Sequence, residues 1–311
     1  MNQYMPEGTL ITTTKNYEYT SSLEGLERAL EKQIILEAPV IMCDHNFNLH
    51  INFRGGFKGI IPREEVQYSQ TGEETKDIAI LTRVGKTVCF KVIGFNLNEK
   101  NETVVILSRR AAQEECAINY LSTLMAGDII PAKVTHLENF GAFVDIGCGM
   151  ISLLSIDCIS VSRISHPSAR LSVSDNIFVV VRGNDERGRI VVSVRELLGT
   201  WEENAARFNE GQTVRGIIRS IESYGIFVEL KPNLAGLAEY RADTKVGQSA
   251  AVYIKSINPE KMKVKLIIIG TDDKGADKEP LEYFIDTNSS SHLDVWKYSP
   301  KICKRVIETV F

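Results

Sequence analysis

The sequence predicts a mainly β protein built as three consecutive small barrels of five strands each. Three observations carry this. The chain has 311 residues, enough for two or three small domains rather than one. Short apolar or alternating runs recur along it, broken by Gly, Pro, Asn and Asp, as strands are broken by turns. The pattern then repeats about three times, with a period of roughly 80 residues.

Composition fits an ordinary globular protein, with 43% hydrophobic and 24% charged residues. The most apolar stretch, residues 20–44, is interrupted by charges, so no membrane span is expected. Residues 1–15 lack the basic start and apolar run of a secretory signal, which predicts a cytoplasmic protein. Cys43, Cys89, Cys116, Cys148, Cys158 and Cys303 form no CxxC pair and read as reduced, mostly buried thiols. The net charge of −4 argues against an indiscriminate nucleic-acid binder. The balance is uneven, however. Residues 208–270 carry nine Lys/Arg against six Asp/Glu, and the tail from Thr271 carries six against eight. A basic face can hide behind such an average.

Residues 1–22 show no periodicity and read as a loose arm. A short helix follows, with Leu23, Leu26, Leu30 and Ile34 at helical spacing and Ser21 or Ser22 as its cap. Ile34–Leu36, Val40–Met42, Leu49–Phe53 and Gly59–Ile61 are short strands, the first two separated by Pro39. Val88–Ile93 and Thr103–Ser108 complete the first set, and Ala111–Met125 reads as a helix ended by Ala126-Gly127-Asp128. The second set is Ile129–His136, Gly141–Ile146, Ser152–Ser155, Asn176–Val181 and Arg189–Val194. A brief helix over Val194–Phe208 leads to the third: Gln212–Ser220, Gly225–Leu230, Gly236–Tyr240, Gln248–Ile257 and Lys263–Ile269. The expected organisation is an arm over 1–24, barrels over 25–124, 125–208 and 209–270, and a tail over 271–311. The tail reads as a polar linker (Thr271–Gly275) and then an aromatic segment that packs back on a barrel. Five short strands with Gly-rich bends fit the OB barrel best.

The second and third repeats align closely. Ala126–Val134 matches Glu210–Ile218, Asn139–Ile146 matches Ser223–Leu230, and Ser152-Leu153-Leu154 matches Gly236-Leu237-Ala238. Two aromatics flank a glycine step in each, Phe140 and Phe143 in one and Tyr224 and Phe227 in the other. In a plain strand positions i and i+3 face opposite ways. A bulge near Gly141 is therefore expected, to bring both rings to one side.

This order resembles the S1 RNA-binding domain, the OB barrel named after the large mRNA-binding protein of the bacterial small ribosomal subunit. The resemblance covers about residues 25–270, is closest in the second repeat, and departs most in the first. The run Ser160–Pro167 also resembles ribosomal members of that family. It implies that bases stack on Phe140 and Phe143, and on Tyr224 and Phe227. The matching positions of the first repeat are Phe47 and His50. The family's surface His falls on Ser155, Glu239 and Pro62, all departures from the pattern. Its Asp and Arg near the last hairpin fall on Asp185 and Arg189, and in the third repeat on Asn258 and Lys263.

The physics of the residues agrees. Single-stranded RNA is held by rings that stack on bases and by cations that follow the backbone. Lys133, Arg163, Arg189, Arg215, Arg219 and Lys263 are the candidate phosphate contacts. The competing readings are plain ones. The rings could be core, Asp185 and Arg189 a solvated ion pair, and Trp296 and Tyr298 an anchor for the tail. Cys43, His45 and His50 lack a second ligand pair at metal-site spacing. No phosphate-cradling loop, HExxH or nucleophile elbow occurs. The expectation is a non-catalytic protein without cofactor that binds single-stranded RNA near the small ribosomal subunit. The alternatives are a protein–protein adaptor, or an RNA-binding accessory to a ribonuclease.

Overall fold

Alternation, caps and turn residues set the local structure. A computed structural model describes every residue except 1–2, 70–71, 73, 274–277, 279 and 288. The expected linker over Thr271–Gly275 therefore lies partly outside the described residues. The chain forms two compact units, Met1–Leu124 with Asp145–Ile151, and Met125–Val144 with Ser152–Phe311.

The first unit begins with helices α1 (Thr14–Thr20) and α2 (Leu23–Glu31). Thr13 and Ser22 cap them through their hydroxyls, accepting from the backbone N–H of Asn16 and Gly25. The barrel comprises β1 (Leu36–Cys43), β2 (Leu49–Asn52), β3 (Lys58–Ile61), β4 (Thr87–Leu97) and β5 (Thr103–Ser108), in the closed order β1-β2-β3-β5-β4. Helix α3 (Asp77–Leu81) precedes β4, and α4 (Arg109–Asn119) follows β5. Inward residues such as Leu36, Val40, Ile51, Ile61, Phe90 and Leu107 make its core.

Two expectations change here. Pro39 does not split a strand, because β1 pairs with β4 up to Pro39 and with β2 from Val40. A residue without an N–H fits where one ladder hands over to the next. The arm is also not loose. Residue Glu7 accepts from Arg109 Nε (2.7 Å) and from the backbone N–H of Cys89 (3.0 Å), and Asn16, Tyr19 and Thr20 are buried. Without periodicity, such a polar segment gives no sign that it pairs with a buried arginine.

The second unit holds two more closed barrels. One is built from β6 (Ile129–Glu138), β7 (Gly141–Asp145), β8 (Ile151–Ser155), β9 (Asn176–Asn184) and β10 (Ile190–Ser193), in the order β10-β8-β7-β6-β9. The other has β11 (Thr213–Glu222), β12 (Gly225–Lys231), β13 (Leu234–Ala238), β14 (Ser249–Asn258) and β15 (Lys263–Asp272), in the order β11-β12-β13-β15-β14. In all three barrels a parallel pair joins the third and fifth strands. The fold class is thus three tandem five-stranded barrels.

The expected helix over Val194–Phe208 is a 3-10 turn (Arg195–Leu198) and a short helix, α5 (Trp201–Ala205). Gly199, at φ 82°, separates them, and Thr200 and Glu203 close a capping box on α5. The tail ends in the hairpin β16 (Val295–Lys297) and β17 (Glu308–Val310). Trp296 and Tyr298 are buried in the third barrel's cluster, with Tyr298 Oη donating to Asn233 O at 2.7 Å. They anchor the tail and are not exposed for stacking. All six cysteines are free thiols, three buried and three half-buried.

Candidate nucleic-acid interface

Phe140 sits in the turn before β7 and is 55% exposed, and Phe143 follows on the strand, half-buried. Their rings meet edge to face, with centroids 6.0 Å apart and planes at 86°. Tyr224 and Phe227 repeat the arrangement at 6.2 Å and 88°, with Tyr224 67% exposed. Ala142 and Ile226, between the rings, and Val144 and Val228, just after them, are fully buried.

In the third barrel the rings share a side without a bulge at the glycine, since Gly225, Ile226 and Phe227 pair in unbroken register with Glu222, Ile221 and Ser220. Phe140 and Tyr224 lie in the turns, outside strand alternation. The register shift between β11 and β12 lies on β11, between Ile218 and Ser220, and leaves Arg219 as the extra residue. The glycines serve close approach instead. A Cβ on Gly141 would lie 2.4 Å from Leu154 O, and one on Gly225 would lie 2.6 Å from Ala238 O.

The sequence missed a third ring. His136 stacks beside Phe143, with centroids 6.4 Å apart and planes at 21°, and its Nε2 lies 2.8 Å from Glu138 Oε1. The signal available was its place on β6, beside Thr135, whose hydroxyl donates to Phe143 O at 3.0 Å. Lys265 was missed as well. It pairs with Leu237, which pairs with Phe227, so Phe227, Leu237 and Lys265 form one row on one face. Lys263 is exposed two residues earlier on the same strand.

Asp185 anchors the β9–β10 turn. Its carboxylate accepts from the backbone N–H of Arg187 and Arg189 (2.9 Å each) and from Arg189 Nε (2.8 Å). The side-chain hydrogen bond from Arg189 leads in holding that carboxyl below its ordinary range. Asn258 and Asn98 do the same turn-building work in the other barrels. Asp185 therefore orients the exposed Arg189 and need not touch a ligand. In the first barrel the place of Arg189 is taken by Glu102, an acid paired with Asn98 and Lys58.

The remaining candidates do not converge on the rings. Arg219 turns to Glu229, Nε to Oε2 at 2.8 Å and Nη2 to Oε1 at 3.1 Å, rather than to the rings. Arg215 donates through Nε to Ser249 Oγ at 2.7 Å. Arg163 is exposed on the segment after β8, whose Ser162 N–H donates to Pro232 O of the third barrel. Lys133 is half-buried on β6, opposite Asn176.

In the first barrel the matching residues form no such ring couple. Phe47, at φ 62°, packs on the barrel core with Arg63 over its ring at 4.9 Å. His50 Nε2 lies 2.9 Å from Asp44 Oδ2. Against the opposing effect of partial burial, hydrogen bonds from His50, Asn48 and Asn46 hold the Asp44 carboxyl down to about 2. Among the described residues, no three His, Cys, Asp or Glu side chains are placed to hold a metal.

Comparison with known proteins points the same way. The model of the S1 RNA binding domain matches residues 123–195. The chain is 28% identical over 296 residues to the small ribosomal subunit protein bS1 of Mycobacterium tuberculosis, covering 89% of this chain and 59% of that one. It is 27% identical to bS1 of Staphylococcus haemolyticus, over 92% of this chain and 73% of the relative. It is 30% identical to a bS1 homolog of Bacillus cereus, over 79% and 62%. The chain thus spans about three-fifths of the length of the mycobacterial relative.

Proposed function

The chain belongs to the S1 domain family, and from that premise we propose that it binds single-stranded RNA without catalysing a reaction on it. Bases stack on Phe140 and Phe143 of the second barrel, with His136 beside them, and on Tyr224 and Phe227 of the third. Arg189, Lys263 and Lys265 follow the backbone. The observation that carries this reading is the recurrence of one exposed, edge-to-face ring couple on two barrels. A contiguous pair of exposed rings rimmed by polar residues marks an interaction site, and a base is a flat, sequence-tolerant cover.

Each stacked base contributes about 1–3 kcal/mol. Replacing both Phe140 and Phe143 by Ala is expected to weaken binding of a fluorescent oligouridine at least about tenfold, equivalent to ~1.4 kcal/mol. Unchanged binding in that variant, with the fold intact by circular dichroism, sinks the stacking reading.

The first barrel supports a companion role as a protein-contacting module. Its ring is capped by Arg63, and its turn carries Glu102 where the second barrel has Arg189. The relatives' names make the small ribosomal subunit the partner to test. Co-sedimentation of the whole chain with small subunits checks this, and recovery only with free RNA removes it.

A further inference from the structure

The seam between the second and third barrels holds a cleft that the ring faces do not use. Its volume is 260 Å³, and Arg170, Arg215, Arg219, Glu229 and Lys278 are among its walls. Glu229 is buried, and Arg219 forks onto it from β11. Arg170 reaches the same carboxylate through Nη2 from the segment after β8. Two guanidinium groups therefore share one carboxylate, and the cluster keeps an excess positive charge.

Arg170 supplies the second observation. It is only 6% exposed, and its Nε is buried without a hydrogen-bond partner. A guanidinium stays charged, and a buried donor left unpaired is costly. Burial, only partly offset by Glu229, holds Arg170 below its ordinary value, and Arg219 adds to this. An anion in the cleft would answer both the charge and the idle donor.

Direction supplies the third. Phe227 and Glu229 stand two residues apart on β12, opposite Leu237 and Ala235 with no register shift between them. They share a face, roughly 7 Å apart along the strand, a distance on the scale of one nucleotide of an extended chain. A strand stacked on Tyr224 and Phe227 leads to the cleft.

We propose that this cleft receives a backbone phosphate of the RNA strand whose bases stack on Tyr224 and Phe227, with Arg170 Nε, Arg215 and Arg219 as donors. The proposal rests on the stacking reading above. The phosphate chemistry is shared with free inorganic phosphate, so the test separates the two sources.

The full chain is titrated with fluorescent oligouridines of roughly four and eight nucleotides, within the span of one such barrel. Arg215→Gln and Arg170→Gln are expected to weaken the eight-mer about three- to tenfold and to lower its salt slope by about 0.7, one phosphate contact. The four-mer should weaken by a comparable factor, because the cleft lies about one nucleotide beyond Phe227 and a four-mer stacked on both rings reaches it. Tyr224→Ala/Phe227→Ala should weaken both. Unchanged eight-mer affinity and slope in the arginine variants, with the ring variant still weakened, overturn the cleft and leave stacking intact. No effect of the ring variant overturns stacking, and with it the continuous path. Inorganic phosphate that raises the melting temperature of the wild type but not of Arg170→Gln, while leaving eight-mer binding unmoved, makes this a free-anion site and overturns the strand assignment. Should Arg170→Gln fail to fold, Arg215→Gln, at an exposed position, decides alone.

Discussion

Glu37 is one of two buried carboxyl groups through which the first unit feels pH. It is almost fully buried, with its oxygens accepting from the backbone N–H of Gly8 (3.0 Å) and Ile11 (2.9 Å). Burial, reinforced by the neighbouring carboxylates Glu7 and Asp145, pushes its pKa up to about 7. A raised carboxyl pKa means the folded state binds the extra proton. Its stabilisation is fully present below the unfolded value of 4.5 and is lost as pH rises through about 7. Asp145 is shifted in the same direction, by burial and by Glu7. Glu7 itself is held low by Arg109 despite its burial, so it works in the opposite sense only in acid. The stability of the first unit should therefore fall between about pH 5 and about pH 8, by on the order of 2–3 kcal/mol for Glu37, and its melting temperature with it. Calorimetry of wild type and Glu37→Gln checks it. A pH slope identical in the two removes Glu37 as the cause. None of this was legible in the sequence, where Glu37 is one acid two residues before a proline. By contrast Phe140, Phe143, Tyr224 and Phe227 were legible, because a spaced aromatic pair recurs. His136 was not, since its ring joins the others only across a strand pair.

At the scale of the element, the glycine of each ring motif is the sensitive point. The β7–β8 and β12–β13 ladders close over Gly141 and Gly225 with no room for a Cβ, the nearest carbonyl oxygens lying at 2.4 Å and 2.6 Å. Gly141→Ala or Gly225→Ala should destabilise the second unit by about 1–3 kcal/mol, the usual cost of overpacking. The ring pair beside it should also lose its geometry. Denaturant unfolding and oligomer binding measured together check this, and a variant with wild-type values in both excludes the packing role. The strand Thr103–Ser108 was read from sequence at its observed bounds, because a short continuous apolar run between polar residues marks a buried strand. The bounds of α4 were not, because Cys116, Leu121 and Leu124 continue the apolar spacing past the last helical residue, Asn119. The position of the bulge on β11 was also illegible, since a register shift belongs to a pair of strands.

For the whole molecule, the second unit joins the two ring couples in one body. Linked sites act through effective concentration, so removing one couple should cost more on a long oligomer than on a short one. Wild type, each double alanine variant and the combined variant, titrated with short and long oligouridines, form the check. Independent, length-insensitive losses would mean that the barrels act as separate binders. The sequence by itself determined the fold class, the threefold repeat and the two ring pairs, because strand alternation, turn residues and motif spacing are local and repeat along the chain. Only the tertiary structure decided which cations face the rings and that Arg219 turns inward to Glu229. It likewise decided that Glu7 in the arm is buried against Arg109, and that Trp296 and Tyr298 are spent on packing. Those outcomes depend on partners about ten to more than a hundred positions away in the chain, and burial and charge pairing are settled only when the strands have closed.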